Sequence, residues 1–449
     1  VLTEDEVTAA ARSLWRKHAD ELPELERVRG YERGILGRPT LPDDADDEIK
    51  DLSKLAVKNI MPLVVDSFVH ALSVTGCRSP SADANTAAWS IWQRERMDAR
   101  QAEVHRPAVV YGASYLLLDL VGGKVRFNPR SPRRMFAAYA DPTRDEWPQL
   151  ALETWIEELG GKKVRRGLLW DAEASYEVLV RGSSRTSTVE AVPDAMTPHK
   201  FGVVPVVRFV NERDTEEMLR GEVGPLIHDQ KAINAVNFDR LIVSRFGAFP
   251  QKYLMGWAAD SADEARVLSA RRMLTFDDPD VKAGAFPSAD VTAYNAILDE
   301  MVAHVAIRAR VPVFALTGDI SNVGADTIAL VNAPNQRKVA SKQESFGESW
   351  EQALRLAGKV EGVDVPEDAE VLWHDTEARS FAQVVDGVVK LTTAGVPIEL
   401  LVDQIPGITQ QKADALVDGI RREQATGLAA QVIAAARTTP ATEPAPVGA

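Results

Sequence analysis

One cysteine, Cys77, stands in a chain of 449 residues, so neither an intrachain disulfide nor a four-cysteine zinc site can be built. It falls in VTGCRSP, a segment that reads as a turn, and a small structural residue is the simpler reading than a nucleophile. Also missing is any uninterrupted stretch of about 18 apolar residues, the length a helix needs to cross a bilayer, and the chain does not start with a basic region ahead of an apolar core. The expectation is a protein with no membrane segment, made and kept in a reducing cytoplasm. A basic excess is lacking as well: 52 Lys and Arg stand against 66 Asp and Glu, a formal net charge of -14. Proteins that grip nucleic acid over a broad face carry a basic footprint, so tight binding of that kind is excluded. An acidic surface instead lets DNA slide past without adhering.

Catalytic signatures are absent too. No GxxxxGK[ST] phosphate cradle, HExxH pair, GxSxG elbow or Cys/His pairing occurs, and the seven histidines are scattered. The chain therefore reads as a non-enzyme, with no metal and no cofactor. One concentration of carboxylates, Asp43, Asp44, Asp46, Asp47 and Glu48, follows Pro42 and precedes an apolar stretch from Ile49 to Leu72 that reads as a helix. Acidic side chains there are stabilised by the unsatisfied amides of the first helical turn. A metal-dependent nuclease on that cluster would need carboxylates converging from a second element, and a solvated helix start is the simpler account.

What is present is an ordinary globular composition, 45% hydrophobic and 26% charged, long enough for two to four domains. Residues 1–30 read as a helix opened by a capping box of Thr3 and Glu6, with Leu14 and Trp15 on its apolar face. Another helix spans 86–111, carrying Trp89, Trp92 and Met97. Short strands rich in Val, Leu and aromatic residues then make 112–210 mainly antiparallel β, with Gly112 allowing a close backbone approach. Gly224 and Pro225 open a helix that ends near Phe246. A small α/β excursion fills 247–288, with a strand-like QKYLMGW and a helical stretch around Ala262 to Arg272. A strand at 369–375 and helices at 380–394, 397–404 and 409–425 follow. After Arg437 the Thr/Pro/Ala-rich tail is expected to be disordered. The fold class is α+β.

The most telling unit lies between 289 and 358. Val291, Tyr294, Leu298, Met301 and Val305 alternate in steps of three and four, a narrow apolar seam that wants a partner helix. PVFALTGDISNVGADT follows, where Pro312, Gly318 and Gly324 break helical geometry. A second, longer helix returns with Val339, Phe346, Trp350 and Leu354 near one face, and a kink is expected at Pro334, which lacks an amide donor and crowds the preceding turn. An ordinary helical hairpin in a globular core would look the same.

The order of segments resembles the portal, or head-to-tail connector, proteins of tailed double-stranded DNA bacteriophages, over most of residues 10–425. LAVKNIMPLVVDSFVHALSVTGCRSP is similar to the portal segment in which a helix leads into a V-G-F turn. IWQRERMDARQAEVHRPAVVYGASYLLLD resembles the segment where a tryptophan-bearing helix precedes a Tyr-Gly-x-x-Tyr strand, here Tyr111, Gly112 and Tyr115. VVPVVRFVNE, then GEVGPLIHDQKAINAVNFDRLIVSRFGAFPQKYLMGW, is similar to the stretch that enters the first stem helix and leaves it through Ala248, Pro250 and Gly256, with Lys252 where arginine is commoner.

The resemblance implies a portal-type architecture. Residues 1–213 would be an α/β wing, 214–246 and 289–311 the two stem helices, and 247–288 a small clip that meets tail adaptors. Residues 312–325 would be a tunnel loop presenting Thr317, Gly318, Asp319, Ile320, Ser321, Asn322, Val323 and Gly324 to DNA. Residues 326–376 would supply the channel helix kinked at Pro334 and the wing's return strand, 377–437 a helical crown, and 438–449 a disordered tail. It further implies a homo-oligomeric ring of twelve at one capsid vertex, its stems packed through Val291, Tyr294, Leu298, Met301 and Val305, for DNA packaging, retention and ejection. Its partners would be the double-stranded DNA, a terminase packaging ATPase, a head-tail adaptor, and the major capsid and scaffolding proteins, in the virion and before that in the host cytoplasm. Twelve copies at -14 would carry roughly -170, which disfavours adhesion of DNA to the wall. A head-tail adaptor or minor head protein is the other reading, although such adaptors are shorter and lack the stem, clip, stem and loop order.

Overall fold

The computed structural model describes residues 1–79, 82–215, 219–247, 252–255, 282–285, 291–318, 325–374, 381–397, 401–402 and 410–422. Helix α1 (Glu4–Glu32) opens with the expected box: the Glu6 amide donates to Thr3 Oγ1 at 3.4 Å, and Glu6 Oε2 accepts from the Thr3 amide at 2.8 Å. Its apolar stripe, Val7, Ala11, Leu14 and Trp15, is buried against Leu152, Leu169, Val178, Val180 and Val189. Those residues lie on a five-stranded antiparallel meander, β4 (Met135–Ala138), β5 (Leu150–Leu159), β6 (Lys162–Trp170), β7 (Ala174–Arg181) and β8 (Thr188–Pro198), joined in sequence order. A second sheet runs in the order β3 (Lys124–Arg130), β2 (Ala113–Val121), β9 (Val206–Val210).

Three elements differ from the sequence reading. Cys77 lies in no turn: it sits in strand β1 (Val74–Arg78), opposite Val371 of β12 (Glu370–Trp373), and burial pushes its thiol up to about 11. The helix expected over 49–72 is two, α2 (Asp47–Leu55) and α3 (Met61–Val69), because Pro62 in the first turn has no amide to continue a preceding helix. The freed groups between them are met from a helix far along the chain, Ile227–Gly247. Gln230 Oε1 accepts from the Ile60 amide at 3.1 Å, Asn234 Oδ1 from the Lys58 amide at 3.0 Å, and Asn237 Nδ2 donates to the Ala56 carbonyl at 2.9 Å. The helix expected over 86–111 likewise splits into α4 (Ala82–Arg94) and α5 (Met97–Tyr111) at Arg96, whose φ is 55°.

Gly112 ends α5 at a φ of 101°, and a side chain there would meet the Leu219 and Arg220 backbone at 2.7 Å, so the close approach read from the sequence is real. The 3-10 turn Gly224–Leu226 leads into α6 (Ile227–Gly247). Two short strands of the excursion, β10 (Lys252–Met255) and β11 (Lys282–Ala285), pair antiparallel. The helical stretch expected around Ala262–Arg272, the helix at 397–404 apart from residues 397, 401 and 402, and the tail after 437 lie outside the described residues. Helix α7 (Thr292–Ala309) packs along α6, α8 (Val313–Thr317) is a single turn and a half, and α9 (Ala325–Glu361) runs 37 residues. Further on, α10 spans Phe381–Thr393 and residues 410–422 are helical.

The main core lies where α9 crosses the three-stranded sheet. Trp350 is fully buried, with Trp92 and Phe209 edge-on to it, each at a ring separation of 4.8 Å. Its indole N–H donates to His105 Nε2 at 2.9 Å, which fixes the imidazole as the tautomer protonated on Nδ1, the atom 3.1 Å from the Leu72 carbonyl. Burial pushes His105 down to about 3, so it stays neutral.

Candidate channel and assembly unit

The seam read from the sequence turns inward. Leu298 and Val305 are buried in the chain's own core, together with Val302, Ala306 and Ala309, where α7 lies on α6. Val291, Tyr294 and Met301 flank that stripe and are half-buried, with Met301 packed against the same core. Leu298 and Val305 are therefore already buried within a single copy of the chain. At about 100° per residue, the opposite side of α7 carries Ala293, Ala296, Ile297, Glu300, His304 and Ile307, all exposed. Ile297 is 44% and Ile307 68% accessible, a second seam that periodicity alone did not single out because Glu300 and His304 interrupt it. Two polar ties fix the helix pair: Arg240 Nη1 donates to Asn295 Oδ1 at 3.1 Å, and Arg308 pairs with Asp229 while donating to the Pro225 carbonyl at 3.2 Å.

Beyond α7, the loop expected over 312–325 is partly helical. Pro312 precedes α8, Thr317 is its last residue, and Gly318 closes it at a φ of 75°, the left-handed conformation favoured at a helix end. Phe314 and Leu316 are half-buried, with Leu316 packed on the main core. The Asp319, Ile320, Ser321, Asn322, Val323 and Gly324 positions lie outside the described residues. Pro334 stands inside α9, which continues unbroken on both sides of it, and Leu330 and Val331 just before it are exposed.

The lower half of α9 is anchored by groups that the sequence gave no reason to pair. Lys342, 2% accessible, donates to Asn211 Oδ1 at 2.5 Å and Glu222 Oε1 at 2.7 Å. Lys338, one turn earlier, reaches the other oxygen of Glu222, and both ammonium groups lie about 5 Å from the Phe68 ring centre. Burial alone would push the Glu222 carboxyl up, but Lys342 and Lys338 outweigh it and hold it below the usual carboxylate range. The signal was the i,i+4 spacing of two lysines on a face that otherwise points inward, legible only once Glu222 is known to sit beneath it.

Among the described residues, no three His, Cys, Asp or Glu side chains converge as metal ligands. In the 43–48 run, Asp47 lies 3.4 Å from Lys50 and Glu48 lies 2.6 Å from Arg245, side chains committed to surface pairs. No helix among the described residues is long and apolar enough to cross a membrane.

Together these features define a mixed α and β protein in which a two-helix unit and a 37-residue helix accompany antiparallel sheets. Residues 12–426 match the family described as phage portal protein, SPP1 Gp6-like, and the chain belongs to that family. The portal protein of Mycobacterium phage D29 is 25% identical over 355 residues, covering 73% of this chain and 71% of that one. The portal protein of Mycobacterium phage L5 is 26% identical over the same share of each. Among solved structures, a chain of the virion of a native gene transfer agent particle aligns at a TM-score of 0.46 and 14% identity, over 82% of this chain and 96% of that chain. A chain from the neck of an empty particle of the same kind gives 0.43 and 13%, over 81% and 96%.

Proposed function

We propose that this portal protein forms a closed ring of about twelve copies at one capsid vertex, with α6 and α7 as the stem, residues 247–288 as the clip, and α9 along the channel. In this reading DNA passes through the ring during packaging, retention and ejection, driven inward by a separate terminase ATPase. A tail adaptor meets the clip, and capsid and scaffolding proteins meet the outer surface. Residues 312–325, including Thr317 and Gly318, form the tunnel loop, and Pro334 bends α9 above it. The role is structural, with chemistry left to the ATPase. Family membership supports the reading as a whole.

The observation that carries its assembly is the pair of stripes on α7: the inner one is closed by α6, and the outer one leaves Ile297 and Ile307 in water. Ile297 and Ile307, ten residues apart on one side of the helix with Glu300 and His304 between them, would be covered by a neighbouring copy lying alongside. The stem contact is thus moved from the Leu298 and Val305 side to the Ile297 and Ile307 side. Native mass spectrometry and negative-stain imaging of purified protein test it. Rings of about a dozen copies are expected for the natural sequence, and Ile307→Asp should yield folded monomers. A protein that remains monomeric at every concentration and salt, or an Ile307→Asp variant that assembles as well as the parent, would refute the assignment. Replacing residues 319–324 with a glycine-serine linker, which spares α8, should leave rings intact and reduce packaging.

A further inference from the structure

The face of the meander that α1 covers extends farther than α1 does. Leu152, Thr154 and Ile156 point the same way along β5, and their cross-strand partners on β6 are Leu169, Gly167 and Arg165. Leu152 and Leu169 are sealed beneath α1, yet Ile156 in the same row is 57% accessible. A cleft of about 520 Å³ remains there, walled by Leu22, Pro23 and Glu26 of α1 on one side and Thr154, Ile156 and Arg165 on the other.

Its polar groups are unevenly matched. Arg133 is paired with Glu26 at 2.5 Å and Arg134 with Glu153 at 3.1 Å. Arg165 has no ion pair among the described residues; its guanidinium rests 5.1 Å from the Trp15 ring centre, and burial unrelieved by any acid lowers its proton affinity. The Thr154 hydroxyl, on a residue 1% accessible, finds no hydrogen-bond partner. An uncompensated cation and an unsatisfied hydroxyl beside exposed aliphatic surface call for an occupant that is both anionic and apolar.

We propose that this cleft docks an acidic segment of a partner protein, an aliphatic side chain seated on Ile156 and Leu22 and a carboxylate on the Arg165 guanidinium and the Thr154 hydroxyl. The site is separate from the α6 and α7 surface, so ring assembly and peptide docking succeed or fail independently. The probe is a fluorescein-labelled synthetic peptide alternating glutamate and leucine, titrated by anisotropy into the full chain, with a lysine and leucine peptide as its charge-reversed control. The acidic peptide is expected to bind, with affinity falling as salt rises. Arg165→Glu and Ile156→Asp should each weaken it by about tenfold or more, with Arg165→Gln intermediate and melting curves little changed. Failure of the acidic peptide to bind the parent chain overturns the proposal. So does equal binding of the basic peptide, indifference to both substitutions, or complete displacement by sulfate alone, which would mark a plain oxyanion site. Self-association of the chain that Ile156→Asp abolishes would also overturn it, giving the cleft to a second copy.

Discussion

Acidification should loosen the grip of α9 on α5, and His105 sets how much. The imidazole is fully buried, accepts from the Trp350 indole, and titrates near 3 instead of the ordinary 6.5. A histidine whose folded value is depressed contributes stability that is complete above the unfolded value of about 6.5 and declines as pH falls toward about 3, since only the unfolded chain takes up the proton. Integrated between about pH 7 and about pH 4.5, that is a loss of about 2–3 kcal/mol, rising to roughly 5 kcal/mol at the lower limit. Urea denaturation at the two pH values reads it directly, through the midpoint shift at constant slope. His105→Gln cannot titrate but can still accept from Trp350, so its stability should fall by about 2–3 kcal/mol less than the parent's over the same interval. His18, on the buried side of α1 and pushed down to about 4 by burial, adds a loss of the same sign in both proteins and cancels in the comparison. If the glutamine variant shows the parent's full pH dependence, the assignment of His105 as a neutral hinge between α5 and α9 is wrong.

Removing the buried ammonium of Lys342 by substitution with Met leaves Glu222 to Lys338 and the Asn211 amide, and chemical denaturation should register a loss of about 3–5 kcal/mol. Glu222→Gln combined with Lys342→Met should recover part of it. Because the Glu222 carboxyl sits below its ordinary range, its own contribution holds above the unfolded value of about 4.3 and disappears only as pH falls through the lowered one, below the window where His105 begins to act. Gly112→Ala should cost more than about 1 kcal/mol in thermal or urea unfolding, since its new methyl meets the Leu219 and Arg220 backbone at 2.7 Å from a φ of 101°. An alanine variant as stable as the parent would mean that the chain near 219–220 gives way without loss.

Local chemistry made much of this fold readable. The Thr3 and Glu6 box, the Gly224–Pro225 helix start, the run of antiparallel strands and a strand within 369–375 are each dictated by a few neighbouring residues, and each is present. Readings failed where a distant side chain decided the outcome. The 49–72 stretch looks like one helix because nothing nearby announces that Gln230, Asn234 and Asn237 will satisfy the two amides and the carbonyl freed ahead of Pro62. The Glu222, Lys338 and Lys342 anchor is invisible for the same reason: three charged residues in sequence read as surface until 120 intervening residues bring them together.

Helix α7 shows the limit most clearly, because periodicity found a seam there and could not say what would cover it. A repeat of three and four identifies a face, and either a helix of the same chain or a helix of a copy satisfies that face equally well. Packing on α6 consumes the more apolar stripe, as it must, since that contact forms at no entropic cost of association, while a copy must first be brought from solution. What remains for assembly is the more mixed stripe, Ile297 and Ile307 spaced by Glu300 and His304. Such a surface tolerates water in the free chain and still gains when covered, which is what the proposed ring would require of a subunit that folds before it assembles.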